Sequence, residues 1–239
     1  MMDIRSRTIL DPDKRVGNRI SKLTNDEMGI QRILTLKQNE QEIDFEINET
    51  ILEVNLKNHI FPGDTVIFNM TFRTQVPIQI RRSGRMNKEG IDYSMSQWYP
   101  KLCEYDKDGW HANPYVGREF YGVWGSFYVS IKMDSRYTIA ATGILQNPDQ
   151  IGHGYSNVRP YPTPDKLTWN FKAENVHDFV WAADRDYTHD IIVNDKGPDL
   201  HLFYQKGEKT KEWASLGEYM IRTFEYADKH FGKYPYPHY

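Results

Sequence analysis

The chain has 239 residues, 39% of them hydrophobic and 26% charged, with a mean hydropathy of −0.72, and is long enough to bury a substantial core. No apolar run approaches the roughly 18 residues of a membrane-spanning helix, and the start lacks the basic and apolar regions of a signal peptide, so neither a span nor an uncleaved signal peptide is expected within these residues, and a targeting signal elsewhere in a longer protein stays open. Thirty basic against 33 acidic residues leave a formal charge of −3, which offers nucleic acid and anionic lipid no basic footprint.

One cysteine, Cys103, excludes an intrachain disulfide framework and a cysteine-based zinc site, and it selects neither a cytosolic nor a periplasmic compartment. An aromatic content of 14%, with 16 Tyr and 6 Trp, suits large twisted β-sheets. Met1 to about Met28 reads as an irregular lead-in, as though the chain began mid-structure. From Ile30 the apolar residues have period two, and strands are expected at Ile33–Leu36, Ile43–Ile47 and Ile51–Leu56. Phe61-Pro62-Gly63-Asp64 reads as a turn, followed by a strand whose Val66, Phe68, Met70 and Phe72 share one buried face.

The middle of the chain repeats this grammar. Strands are expected from Phe120 to Met133 and from Tyr137 to Thr142, and Asn147-Pro148-Asp149 breaks the chain. Gly152 to Asp165 carries Pro160, Pro162 and Pro164 and reads as an exposed loop. Leu167–Phe171, Phe179–Ala183 and Leu200–Tyr204 supply three more strands. Near residue 206 the period changes: Trp213, Leu216, Met220, Phe224, Ala227 and Phe231 mark one face of an α-helix of about five turns, stopped by Gly232 and Pro235. Strands followed by one helix imply a β domain over residues 1–205 and the beginning of a second domain over 206–239.

The chemistry-bearing residues are dispersed. His59, His111, His153, His177, His189, His201, His230 and His238 include no pair three to five apart, so the helical two-histidine zinc motif is absent, and a site built from distant strands is the only metal arrangement left open. The plainer reading of such histidines is surface or hydrogen-bonded core. There is no G-x-S-x-G elbow and no glycine-rich phosphate cradle. Cys103, beside Glu104, reads as an inert thiol. Arg81-Arg82-Ser83-Gly84-Arg85 is a basic cluster able to hold a carboxylate or phosphate, although charged turns between strands are ordinarily just solvated. Two aromatic blocks, one from Ser94 to Gly122 and one from Asn175 to Asp184, read either as aromatic strands with polar turns or as ledges for sugars or peptides.

The wording of these blocks resembles the aminopeptidase N-like zinc metallopeptidases, the gluzincin aminopeptidases. The residues that carry the resemblance are Gln97-Trp98-Tyr99-Pro100-Lys101, Tyr105-Asp106, Gly109-Trp110-His111, Gly117, Glu119-Phe120-Tyr121-Gly122, Thr142-Gly143 with Gln146-Asn147-Pro148, Val176-His177-Asp178-Phe179 with Trp181-Ala182-Ala183, and Phe231-Gly232-Lys233-Tyr234-Pro235-Tyr236-Pro237. They run in order along the chain, and the Arg81–Arg85 segment ahead of them is similar to that of a bacterial branch. The resemblance implies a mainly antiparallel, saddle-like β domain followed by the first helix of a thermolysin-like catalytic domain. It also implies that the Gly-x-Met-Glu strand, the H-E-x-x-H zinc motif with its glutamate ligand, and the tyrosine that supports the tetrahedral intermediate belong beyond Tyr239.

On that reading the parent protein uses one zinc to remove N-terminal residues from peptides, while this chain carries no metal ligand and no catalytic residue. Its partners are then peptide substrates and the remainder of the catalytic domain. The resemblance places an acceptor for the substrate α-amine on the saddle domain, and Gln97 or Tyr99 is the nearest match, on a strand through residues 97–99. Two other readings stay open: a non-catalytic β-sandwich module that binds peptide or carbohydrate through aromatic surfaces, and a relative that persists without a catalytic domain as an interaction protein.

Overall fold

The computed structural model describes residues 19, 22–112, 122–158 and 161–239. The lead-in, the start of the strand expected from Phe120, and the Gly117 to Tyr121 part of the first aromatic block fall largely outside them. The fold consists of two compact units that part between Val123 and Trp124.

In the first unit the period-two segments become ladders. β1 (Ile30–Gln38) pairs antiparallel with the two-residue β2 (Gln41–Glu42). β3 (Phe45–Asn48) and β4 (Ile51–Val54) form a hairpin in which Phe45 faces Val54. β5 (Phe68–Gln75) returns along β1, with Ile30 opposite Gln75, Gln38 opposite Phe68 and a bulge between Ile33 and Thr35. The turn before it is the expected one: Gly63 sits at φ +89° and the Asp64 N–H bonds the Phe61 carbonyl at 3.0 Å. Alternation along β5 is real but shallow, because Met70 and Phe72 are only half-buried and Phe68 is 42% exposed. Two short hairpins follow: β6 (Gly84–Arg85) with β7 (Tyr93–Met95), and β8 (Tyr105–Asp106) with β9 (Gly109–Trp110).

The second unit contains β10 (Gly125–Asp134), β11 (Thr138–Ala141), β12 (Ile144–Leu145), the single-turn α1 (Pro148–Ile151), β13 (Lys166–Val176), β14 (Trp181–Asp184), β15 (Tyr187–Ile192), β16 (Leu200–Gln205) and α2 (Leu216–Phe231). β13 lies between β10 and β12, β11 pairs with β14, and β15 with β16 forms a hairpin, all antiparallel. Strict alternation puts Leu167, Trp169, Phe171 and Ala173 of β13 inside, where Trp169 joins Ile139, Phe179, Ala183 and Leu200 in complete burial. The chain break at Asn147-Pro148-Asp149 is α1, with its proline at the start of the turn, where no N–H is needed.

The fold is mainly β with one long C-terminal helix, as the patterning predicts, with local corrections. β13 continues to Val176, beyond the expected end at Phe171, and β14 starts at Trp181 instead of Phe179. Phe179 is buried from a loop, where its N–H bonds the Asp178 carboxylate at 2.8 Å. β15 has no mark in the residue pattern, because Tyr187-Thr188-His189-Asp190 lacks a clean apolar alternation. The helical segment opens with a 3-10 turn over Trp213–Ser215.

The helix face also packs differently from the expected stripe. Gly217 is the buried position of α2, where a Cβ would stand 1.9 Å from Ile192 Cδ1, and Phe224 meets the rings of Tyr234 and Tyr239 edge-on. Trp213, Leu216 and Phe231 are 45%, 38% and 84% exposed. A side chain as small as glycine's brings the helix backbone down onto β15, and it is this close approach that seats the helix.

Candidate functional site

The proposed amine-binding residues stand just past β7. That strand ends at Met95, and Gln97 adopts the left-handed backbone at φ +52°, so residues 97–99 are not a strand. A left-handed residue breaks the regular pleat, and here, at the end of β7, it turns the chain out of the sheet. Two anchors hold the turn: the Gln31 amide of β1 donates to the Trp98 carbonyl at 2.8 Å, and the Trp98 and Tyr99 rings meet edge-on at 5.2 Å. Gln97 and Tyr99 are each half-buried. A bent, tethered segment of this kind presents one amide and one phenol at the surface of the first unit.

The neighbouring basic cluster is structural at its centre. Gly84 is buried at φ +149°, and a Cβ there would lie 2.5 Å from Gln79 Cα. That contact presses the strand against residues 77–79, with Arg85 N–H on the Pro77 carbonyl at 2.8 Å and Gln79 N–H on the Arg85 carbonyl at 2.9 Å. The Arg85 guanidinium donates to the carbonyls of Val76 at 3.2 Å and Asp26 at 2.8 Å. It acts as a clamp on its own chain. Further on, Tyr105 and Trp110 face each other across β8 and β9 with ring centres 4.9 Å apart, and each is 62% exposed. Burial raises the pKa of the Cys103 thiol, which keeps it protonated and unreactive at neutral pH.

The second unit gathers four histidines that lie far apart in sequence. His189 on β15 and His201 on β16 are diagonal neighbours in the hairpin, since His189 pairs with Phe203 and His201 with Ile191. Their Nε2 and Nδ1 atoms are 2.9 Å apart. His189 Nδ1 lies 3.1 Å from the His153 carbonyl, and His153 itself spans Thr138 Oγ1 and the Ser135 carbonyl, each at 2.9 Å. The His238 ring stands 4.6 Å from that of His201. Tyr155 packs against His189 and His201 and donates its hydroxyl to the Ile139 carbonyl at 2.8 Å.

The carbonyls decide the tautomers, because a carbonyl only accepts. His189 therefore carries its proton on Nδ1, leaving Nε2 to accept from His201 Nδ1–H; His153 carries its proton on Nε2 and accepts at Nδ1 from Thr138. Burial lowers the pKa of His153 and of His189 despite these bonds. His201 is pulled down to about 4, by burial first and then by His189 and His238, against the opposing pull of Asp199.

Spacing alone gave no sign of this cluster. The signal becomes readable only when β15 is recognised as the partner of β16. Both nitrogens of His189 are engaged in hydrogen bonds, and among the described residues no three His, Cys, Asp or Glu side chains are grouped as a metal ion would need.

No protein-family model and no curated protein sequence matches the chain. Solved structures do share its fold. A two-domain M1 zinc metallopeptidase bound to L-arginine matches with a TM-score of 0.58 at 14% identity, over 89% of this chain and 46% of its own. An M1 zinc metallopeptidase mutant from Deinococcus radiodurans bound to a Tyr-Ser-Ala substrate matches at 0.56 and 15%, with the same coverage. A further mutant structure from that organism gives 0.57 and 17%, again over 89% and 46%. The chain thus spans less than half the length of the structures it matches.

Proposed function

We propose that this chain is the N-terminal part of a zinc-dependent, aminopeptidase-type metallopeptidase, in which residues 1–205 form the β domain and 206–239 begin the catalytic domain. The observation that carries the reading is the fold shared with M1 zinc metallopeptidases over 89% of the chain, together with the ordered blocks from Gln97 to Pro237. In the parent protein the zinc ligands and the general base come from beyond Tyr239. This chain contributes recognition of the peptide's amino end and by itself carries neither tight zinc nor peptidase activity.

An exopeptidase recognises a free ammonium by placing acceptor oxygens beside it, and Gln97 and Tyr99 are the acceptors assigned here. Loss of one acceptor to a charged amine costs about 1.5–3 kcal/mol, or about ten- to hundredfold in kcat/KM. Gln97→Ala and Tyr99→Phe, made separately in the parent protein, are expected to lower kcat/KM on free peptides by that amount. N-acetylated peptides should respond little. Unchanged turnover of free-amine substrates in both variants removes the two residues from the site.

The exposed Tyr105–Trp110 pair favours a second reading, a module that binds peptide or carbohydrate on an aromatic ledge. Trp110→Ala separates the two, because it abolishes ledge binding and leaves amine recognition intact.

A further inference from the structure

Residues 237–239 lie alongside β16 as a short parallel strand. Asp199 N–H bonds the Pro237 carbonyl at 2.9 Å, Tyr239 N–H bonds the Asp199 carbonyl at 2.8 Å, and His201 N–H bonds the Tyr239 carbonyl at 2.8 Å. The path from β16 through α2 back to these residues is therefore a strand, a helix and a parallel strand, the crossover that two parallel neighbours require. Side chains alternate along the added strand. Tyr239 meets Phe224 of α2 edge-on at 5.1 Å, while the His238 ring stands 4.6 Å from that of His201 on the other side.

A strand ordinarily runs about five or six residues, and only three are laid down here. β16 offers room for more. The outward bonds of Asp199 and His201 fix the parity of its backbone: odd positions face residues 237–239, and Leu202 and Tyr204 face β15. Phe203 thus turns its N–H and carbonyl to the same edge as His201. Among the described residues, the His201 carbonyl and the Phe203 N–H and carbonyl have no backbone partner on that edge. The edge ends at Gln205, whose carbonyl accepts the Thr210 hydroxyl.

We propose that the open edge of β16 from His201 to Phe203 is the docking site of the segment that directly follows Tyr239 in the parent protein, which extends residues 237–239 into a full parallel strand. This docking rests on the reading proposed above, in which the parent chain runs on past Tyr239; the shared fold covers 46% of the length of the matched M1 structure.

The register names the bonds. Continued by its step of two, the ladder has the second residue beyond Tyr239 donate its N–H to the His201 carbonyl and accept from Phe203 N–H, and the fourth donate to the Phe203 carbonyl. By the same alternation the side chain of that second residue falls on the side of Tyr239, toward α2, and that of the first on the side of His238. Tyr239 is already held, so these bonds close no new loop. A second copy of the chain entering the same edge would first give up its own translational and rotational freedom.

Amide hydrogen exchange of the 239-residue chain and of the parent protein, under the same conditions, tests this. Phe203 N–H is expected to be protected at least about tenfold more strongly in the parent, while Leu202 and Tyr204 N–H, which face β15, differ little between the two. Proline at the second residue beyond Tyr239 of the parent removes the donor to the His201 carbonyl and should return Phe203 to the exchange of the shorter chain. Equal exchange of Phe203 in the two proteins overturns the docking. So does protection in the 239-residue chain that rises with its concentration, because a second copy then takes the edge. Zinc content and peptide turnover, measured on the same parent preparation, keep the two readings apart. An active zinc peptidase with an unprotected Phe203 removes the strand alone, whereas a protected Phe203 in a parent without zinc or turnover supports the strand and removes the peptidase reading. A reading frame that ends at Tyr239 removes both. If the proline variant does not fold, the wild-type comparison decides alone.

Discussion

The two units are held together in different ways. In the second, a continuous apolar core runs through Ile139, Ile151, Trp169, Phe171, Phe179 and Leu200, all at most 2% exposed. Among the described residues of the first, the buried apolar side chains are Leu36, Ile43, Pro77 and Met95, and glutamines make several of the polar links. Gln31 reaches the Trp98 carbonyl, Gln75 the carbonyls of Asn25 and Met28, and Gln79 the Arg81 carbonyl. Gln38, 1% exposed, bonds both to the Asn58 carbonyl and to the N–H groups of Lys57 and Asn58. Short strands joined by long irregular connections leave many backbone groups without ladder partners, and a glutamine amide donates and accepts at once. Where strands are long, alternation alone builds the core.

Three substitutions break or sharpen this contrast. The largest effect is expected from Trp169→Ala, which opens a cavity at a fully buried ring and should destabilise the second unit by about 3–5 kcal/mol in urea unfolding. The hydrogen-bonded counterpart is Gln38→Ala, which strands backbone groups of Lys57 and Asn58 and should cost about 1–3 kcal/mol, localised to the first unit by hydrogen exchange. If the order of these two effects reverses, the contrast between packing and hydrogen bonding does not hold.

The smallest effect belongs to the helix contact. Gly217→Ala drives a methyl into Ile192 Cδ1, which an overpacking cost of about 1–3 kcal/mol describes, while the gain in helix propensity returns up to about 1 kcal/mol. A net loss of about 1 kcal/mol is expected, and Ile192→Val, which removes Cδ1, should restore it. Failure of that rescue would place the helix contact elsewhere.

How much of this was legible in the residues depends on the kind of signal. β13 was readable because Leu167, Trp169 and Phe171 alternate with Thr168, Asn170 and Lys172, and α2 because its apolar spacing shifts to three and four. β15 was not: all its residues except the exposed Ile191 are half-buried, so neither side of the strand is written in apolar residues. The bend at Gln97 was equally hidden, since a left-handed glutamine has no compositional mark. The histidine cluster is hidden for the same reason as β15, because the pairing of β15 with β16 is what brings His189 to His201.

The amino-acid order by itself determined the mainly β class, the chain position of the long helix and the absence of a cysteine framework, because periodicity and composition act locally. Only the tertiary structure decided that α2 docks through a glycine, that Arg85 clamps its own backbone, and that His153, His189, His201 and His238 meet. Those outcomes depend on which strands pair and in what register, and register brings together residues whose sequence separations carry no trace of the contact.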